Sequence, residues 1–132
     1  MKVLMNLPVA PSDNVMVKRE ADLLRVYFDF NREPVYDEEG NEQEEPVQFS
    51  SQLVDIVGRH GYGEIVSAII NGKYSPDEVQ ALVFNYELAK DEDSDITTAK
   101  REEYLAEYHA LQDYRAHAKE VAQKVITILE SL

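Results

Sequence analysis

The chain has 132 residues, of which 44% are hydrophobic and 30% charged, a composition typical of one soluble globular domain. Its 26 Asp and Glu residues outnumber 13 Lys and Arg residues, and the resulting net charge of −13 disfavours direct binding to nucleic-acid phosphates. Cysteine is absent, which excludes disulfides and thiolate sites, and no apolar run is long enough to span a membrane. The broken apolar stretch at the start does not fit a secretory signal, so we expect a cytoplasmic protein.

Residues 1–57 have the pattern of a β-rich region. Apolar side chains alternate with polar ones at Val26, Phe28 and Phe30, and again across residues 46–57. The Gly40-Asn41 connection between these two runs predicts an antiparallel hairpin. Six acids lie between residues 37 and 45, so its tip is expected to be exposed and acidic. Residues 15–25 fit either a strand or a helical turn.

Residues 64–132 have helical periodicity instead. A short first helix is expected to end at Asn71-Gly72. The second begins with a strong capping signal, in which Ser75 is the N-cap, Pro76 takes the first helical position and Glu78 closes a capping box. An apolar stripe follows in this helix and predicts a buried face; its residues are Val79, Leu82, Val83 and Tyr86.

The third predicted helix is long. From Thr98 to the C-terminus, apolar residues recur at steps of four and three, and only Arg115 interrupts the series. The sequence pattern therefore predicts a single α+β domain over residues 1–132, with an N-terminal antiparallel hairpin or small sheet followed by three helices. We expect the helices to cover the apolar face of the sheet, because neither layer can bury its hydrophobic residues alone.

The segment before the long helix resembles a calcium loop in its spacing. Asp91, Asp93, Asp95 and Glu102 occupy positions 1, 3, 5 and 12 of the loop that an EF-hand uses to bind calcium. The sixth position requires glycine for a sharp turn, but the chain has the β-branched Ile96 there. The alternative is an acidic linker whose charges favour the N-terminus of the helix that follows.

Other chemistry-bearing residues form no recognised catalytic motif. His109, Asp113 and His117 are spaced four apart and so lie on one helix face, where they could hold a metal or simply face solvent. We favour the solvated face, because no HExxH pattern, phosphate loop or triad order accompanies these residues. A non-enzymatic protein without a cofactor is the expectation.

The C-terminal end of the long helix predicts an interface. A helix from Thr98 to Leu132 would be about 52 Å long, whereas a domain of this size has a diameter on the order of 35–40 Å. One end is therefore expected to project, and the C-terminal end carries a broad apolar band. The band predicts homo-oligomerisation, unless the first two helices fold back and cover it. Its predicted interface residues are Val121, Val125, Ile128, Leu129 and Leu132.

Two segments of the helical region, EIVSAIINGKYSPDEVQALVFNY and EYLAEYHALQDYRAHAKEVAQ, carry a resemblance to a known group. Over residues 64–123 they are similar to small uncharacterised proteins encoded in prophage and phage structural-gene regions. The resemblance implies an accessory or structural role near tail or tail-fibre assembly, and hence a possible location on the virion. It implies no functional residues.

These observations predict a non-enzymatic interaction or assembly protein with a protein partner that the sequence does not name. A calcium-stabilised helix-loop-helix module over residues 91–102 is one alternative. The other is an acidic mimic of nucleic acid that binds a basic protein, suggested by the net charge.

Overall fold

Four β-strands come first in the chain and three α-helices follow, in a computed structural model that describes all of residues 1–132. The α+β architecture predicted from the sequence is confirmed, and residues 15–25 form a strand and a turn. The strands are β1 (Lys2–Asn6), β2 (Val15–Glu20), β3 (Leu23–Tyr36) and β4 (Glu42–Val57), and the helices are α1 (Tyr62–Lys73), α2 (Pro76–Lys90) and α3 (Thr98–Glu130). No helix combines the length and the apolar character needed to cross a membrane.

The strands form one antiparallel sheet in the order β1-β4-β3-β2. Strands β3 and β4 make the predicted hairpin, and Asp37 organises its tip. One oxygen of Asp37 accepts hydrogen bonds from the backbone N–H groups of Glu39 and Asn41, both at 2.9 Å, while Gly40 takes a φ of 87°. The hydrogen bond from Asn41 is the main cause of a lowered pKa at Asp37, because it stabilises the charged carboxylate.

The β3–β4 hairpin is longer than its neighbours and extends beyond them. Strand β2 pairs only as far as Phe28, and β1 pairs only with residues 48–52. Residues 33–45, which we call the acidic arm, therefore form a two-stranded ribbon that continues past the four-stranded sheet. The arm carries seven of the 26 acids and no Lys or Arg, and every residue from Tyr36 to Glu42 is exposed.

One face of the sheet packs against α1 and the C-terminal half of α3, and this contact forms the main core. The sheet contributes apolar side chains that alternate along β3 and β4, as the period-two pattern predicted for Val26 and Phe28. The prediction that Phe30 shares their face is wrong, because an irregularity in β3 after Phe28 places Phe30 on the opposite face. The core residues are Val15, Leu24, Val26, Phe28, Val54 and Ile56 from the sheet, and Ile65, Ile69, Ala118, Val121, Ala122 and Val125 from the helices.

Two of the five predicted interface residues, Val121 and Val125, are part of this core, and the prediction that these two are exposed is wrong. Val121 and Val125 are buried, Ile128 and Leu129 pack against the core, and only Leu132 is fully exposed. The physical reason is that the C-terminal half of α3, not its N-terminal half, lies over the sheet. The N-terminal half packs against α2.

Helix α2 is less buried than the sequence predicted. Its capping box is present, with Glu78 N–H donating to Ser75 Oγ at 3.1 Å. Only Ala89 is buried, however, whereas Val83 is 39% and Phe84 is 64% exposed. The predicted buried stripe is wrong at Val83, because α2 packs mainly on α3 and no third layer covers its outer side.

Helix α1 passes through Gly72 instead of ending there, and its last residue is Lys73. A Cβ at position 72 would lie 3.1 Å from Val54 Cγ1, so the glycine allows α1 to approach β4 closely. Its role is close packing and not termination. This approach places Lys73 and Tyr74 beside the sheet.

Candidate functional site

The loop between α2 and α3 is filled by an arginine. The guanidinium of Arg101 donates hydrogen bonds to the backbone carbonyls of Ala89 and Asp91, the latter at 3.1 Å, and lies 3.4 Å from Ser94 Oγ. Ser94 Oγ also donates to the carbonyl of Leu88 at 2.9 Å. A side-chain cation therefore satisfies the carbonyl groups that close this loop.

The carboxylates of the candidate calcium loop do not converge on a common point. Asp91 instead uses a carboxylate oxygen to accept the backbone N–H of Asp93 at 2.9 Å. Thr97 caps α3 by accepting the N–H of Lys100 at 3.1 Å, which agrees with the alternative of a helix-starting linker. The structure contains no group of three His, Cys, Asp or Glu side chains that could hold a metal ion. This holds for Asp91, Asp93, Asp95 and Glu102 as well. The structure thus gives the calcium hypothesis no coordination site.

The three polar residues on α3 do not form a metal site. His109 is exposed, Asp113 is exposed but lines the same cavity as His117, and His117 turns toward the sheet. Its Nε2 lies 2.6 Å from Oδ1 of Asp29, a residue 88 positions away in the chain. The side chains of this pair are 39% and 34% exposed, so the interaction sits at the edge of the core.

A β-bulge in β3 brings Asp29 to this position. The β3–β4 register shifts between Phe28 and Asn31, and Asp29 has a φ of 57°, in the left-handed region that non-glycine residues seldom occupy. The side chain of Asn14 stabilises the bulge by accepting the N–H of Phe30 at 3.0 Å. Strained backbone of this kind concentrates at functional sites, because the surrounding structure must hold it in place.

Two tyrosines and a lysine lie next to the pair. The ring of Tyr114 is 6.2 Å from that of His117 and 5.9 Å from that of Tyr74. The ammonium of Lys73 lies 4.5 Å from the centre of the Tyr114 ring, a cation–π distance. Burial, followed by the nearby charge of Asp29, raises the pKa of Tyr114, so its hydroxyl remains a hydrogen-bond donor through the neutral pH range.

These residues line two neighbouring cavities. The inner cavity has a volume of about 230 Å³, and its lining includes Met1 and Gln52 beside the buried side chains of Phe28, Val54 and Ile69. The outer one, of about 400 Å³, opens beside His117, and both cavities share Asp29, Lys73 and Tyr114. No Ser, Thr or Cys lines either cavity, so neither contains a nucleophile of these types.

Sequence reasoning missed this site because its members come from three distant segments. The helical spacing groups His117 with His109 and Asp113, and the strand pattern marks Asp29 only as a polar position between Phe28 and Phe30. The only local signal was that Asp tolerates a left-handed backbone better than most residues. That preference does not reveal a bulge by itself.

A second candidate is the sheet face opposite the helices, which we call the outer sheet face. Tyr27, Phe30 and Phe49 are buried against one another at its centre. Partly buried apolar side chains surround them, and no helical residue takes part in the cluster; the surrounding residues are Val3, Met5, Leu7, Met16, Val47 and Leu53. Because β4 runs directly from the acidic arm into this cluster, the arm and the apolar face are continuous.

Comparisons of the chain with protein-family models, with curated proteins and with solved structures find no match.

Proposed function

We propose that this protein is a non-enzymatic interaction or assembly protein that binds a basic protein partner through the outer sheet face and the acidic arm. The observation that carries the proposal is the apolar cluster on the outer sheet face, which no helix covers. The three central rings are themselves only 7–8% exposed, so the surface that a partner would meet consists of the partly buried apolar side chains around them. An apolar face without a covering layer typically marks a protein interface.

The composition of the outer sheet face supports a protein partner. Apolar side chains surround the buried rings of Tyr27, Phe30 and Phe49, and the centres of protein interfaces are more apolar than the rest of the surface. Two methionines, Met5 and Met16, lie at its margin, where their flexible side chains can adapt to a partner's surface. A strand-built platform also keeps these anchors rigid, which lowers the entropy lost on binding.

The charge distribution supports a basic partner over a second copy. Seven acids without a single Lys or Arg extend from the apolar face along the acidic arm. Two copies of a chain with a net charge of −13 repel each other, whereas a basic surface is attracted and steered toward the arm. The homo-oligomer expected from the C-terminal band also loses its basis, since Val121 and Val125 belong to the core.

The same surface is consistent with the acidic-mimic hypothesis, in which the partner is a protein that normally binds the phosphates of nucleic acid. The resemblance of residues 64–123 to phage-encoded proteins supports an accessory role in assembly, in the cytoplasm or on the assembling particle. In this proposal the helices stabilise the sheet and do not themselves contact the partner.

A charge-matched pair of variants tests the proposal. The arm variant replaces Glu38, Glu39, Glu42 and Glu44 by Gln, and the helix variant replaces Glu92, Glu102, Glu120 and Glu130 by Gln. All eight residues are exposed, and each variant removes four charges. Asp37 is left in place because it organises the tip.

Both variants and the wild type are immobilised and exposed to lysate of the native host, and retained proteins are eluted with a salt gradient. We expect the wild type and the helix variant to retain the same basic protein, and the arm variant to release it at much lower salt. If the arm variant and the helix variant release the partner at the same salt concentration, the arm contributes no more than its net charge, which would contradict the proposed role.

A further inference from the structure

We propose that the cleft where α1, α2 and α3 meet binds a small organic carboxylate through Arg115. This cleft lies among the helices, and the site does not depend on the function proposed for the outer sheet face. Arg115, the residue that interrupts the apolar series of α3, supplies the charge that the ligand would pair with.

Arg115 lies on the inward face of α3. Its neighbours on that face are Leu111, one turn before it, and Ala118, one turn after it, and both are 0% exposed. Arg115 itself is partly buried. A guanidinium at such a position loses part of its hydration and needs hydrogen-bond acceptors in exchange.

The chain supplies no such acceptor to Arg115. Two other arginines are partly buried, and both have partners: Arg25 lies 3.5 Å from Asp55 Oδ1, and Arg101 donates to the backbone carbonyls of the α2–α3 loop. The side chain of Arg115 takes part in no ion pair and in no hydrogen bond, although acids outnumber Lys and Arg by two to one. Its nitrogens are not sealed from solvent, so a ligand in the cleft can reach them.

Arg115 is also the only charged residue that lines the cleft. The cleft has a volume of about 310 Å³, and its other lining residues are Ser67, Ile70 and Asn71 from α1 and Pro76 and Val79 from α2. Asp113, two positions from Arg115 in the chain, lines the outer cavity instead. The cleft therefore holds one permanent positive charge and no acid that would repel an anion.

The donors around the cleft favour a carboxylate. A guanidinium presents two parallel N–H groups that match the two oxygens of a carboxylate. The hydroxyl of Ser67 and the side-chain amide of Asn71, both on exposed residues, are further donors at the cleft. A single cation balances one negative charge, so a monoanion is favoured over a phosphate dianion in a chain with a net charge of −13.

The size and the walls of the cleft determine the rest of the ligand. Its volume of about 310 Å³ is at the lower end of the roughly 300–1,000 Å³ that is usual for ligand sites. Ile70, Pro76 and Val79 add apolar contacts, and none of these three is fully buried. A short aliphatic acid, with its carboxylate at Arg115 and its body against these side chains, fits this description.

The test is a titration with 3-methylbutanoate, followed by NMR chemical shifts. We expect saturable binding that shifts the methyl signals of Ile70 and Val79 and the Nε–H signal of Arg115. The neutral isostere 3-methylbutanamide should bind about tenfold more weakly or worse, because it lacks the charge. Acetate, which lacks the apolar body, and inorganic phosphate should also bind more weakly than 3-methylbutanoate.

Protein variants provide the second part of the test. Arg115→Gln should weaken binding of 3-methylbutanoate about tenfold or more, and Arg115→Lys should restore only part of it, because lysine keeps the charge without the planar pair of donors. Asn71→Ala, at an exposed position, should weaken binding by a smaller factor. Arg59→Gln is the matched control, since Arg59 is exposed, forms no ion pair and lies outside the cleft, and it should leave binding unchanged.

Four results would overturn the proposal. They are absence of saturable binding, equal binding of 3-methylbutanamide and 3-methylbutanoate, tighter binding of phosphate than of 3-methylbutanoate, and equal effects of Arg115→Gln and Arg59→Gln.

Discussion

Replacing Val125 by aspartate is expected to unfold the protein. Val125 is 0% exposed and packs within the core between α3 and the sheet. A carboxylate there has no partner and loses its hydration, a penalty of several kcal/mol. That penalty is comparable to the total stability of a domain, about 5–15 kcal/mol. Circular dichroism should therefore show a loss of the far-ultraviolet signal, and thermal unfolding should no longer be cooperative.

Leu132→Asp is the matched control, because Leu132 belongs to the same apolar series and is 80% exposed. It should change the free energy of unfolding by less than about 0.5 kcal/mol, as is usual for surface positions. Light scattering should give the same molar mass for Leu132→Asp and the wild type. If Val125→Asp instead remained folded and only its molar mass in solution fell below that of the wild type, the band would be an interface. Its assignment to the core would then be wrong.

Replacing Phe28 by alanine is expected to destabilise the protein by about 3–5 kcal/mol, the range for deleting a buried aromatic ring. Phe28 is 1% exposed, lies in the centre of the sheet and also lines the inner cavity. Its ring centre is 6.4 Å from that of His117, so the substitution should also loosen the Asp29–His117 pair. Urea unfolding monitored by circular dichroism measures the change in stability.

Phe28→Leu is the control for this prediction. Leucine keeps most of the buried volume but loses the aromatic contact with His117, and we expect a loss of about 1–2 kcal/mol. Equal losses for alanine and leucine would mean that the ring contact, and not the volume, stabilises this position. Losses below about 1 kcal/mol for both would contradict the placement of Phe28 in the core.

The fold was predictable where local patterns and tertiary packing agree. The alternation at Val26 and Phe28 indicated a strand, and the capping box at Ser75 and Glu78 fixed the start of α2. The long helix followed from its sustained spacing of four and three. These patterns depend on neighbouring residues alone, so they can be interpreted without knowing how the rest of the chain packs.

The predictions that were wrong or missing concern tertiary contacts, that is, which end of a helix or strand packs against which neighbouring element. The length of α3 correctly implied that one half extends from the sheet, but length does not say which half. Gly72 is a glycine for a packing reason that only the structure reveals, since a Cβ there would lie 3.1 Å from Val54 Cγ1. The pairing of Asp29 with His117 likewise requires a bulge in β3 and a contact over 88 positions, which no periodicity encodes.

The outer sheet face also lay beyond sequence patterns, because β3 and β4 carry apolar residues on both faces. Tyr27 and Leu53 point away from the helices, while Val26 and Val54 point toward them. A strand that is apolar on both sides predicts that both sides are covered. The helices cover one side only, and the proposed partner covers the other.

Site-specific photo-crosslinking in the native host tests this central claim most directly. A photoreactive amino acid is introduced at Leu53, which is partly buried on the outer sheet face, and separately at Gln123, which is exposed on α3 away from that face. We predict that Leu53 crosslinks to one other protein, through a peptide rich in Lys and Arg, and that Gln123 does not. No product at Leu53, the same products at both positions, or a product made of two copies of this chain would contradict a basic protein partner at the outer sheet face.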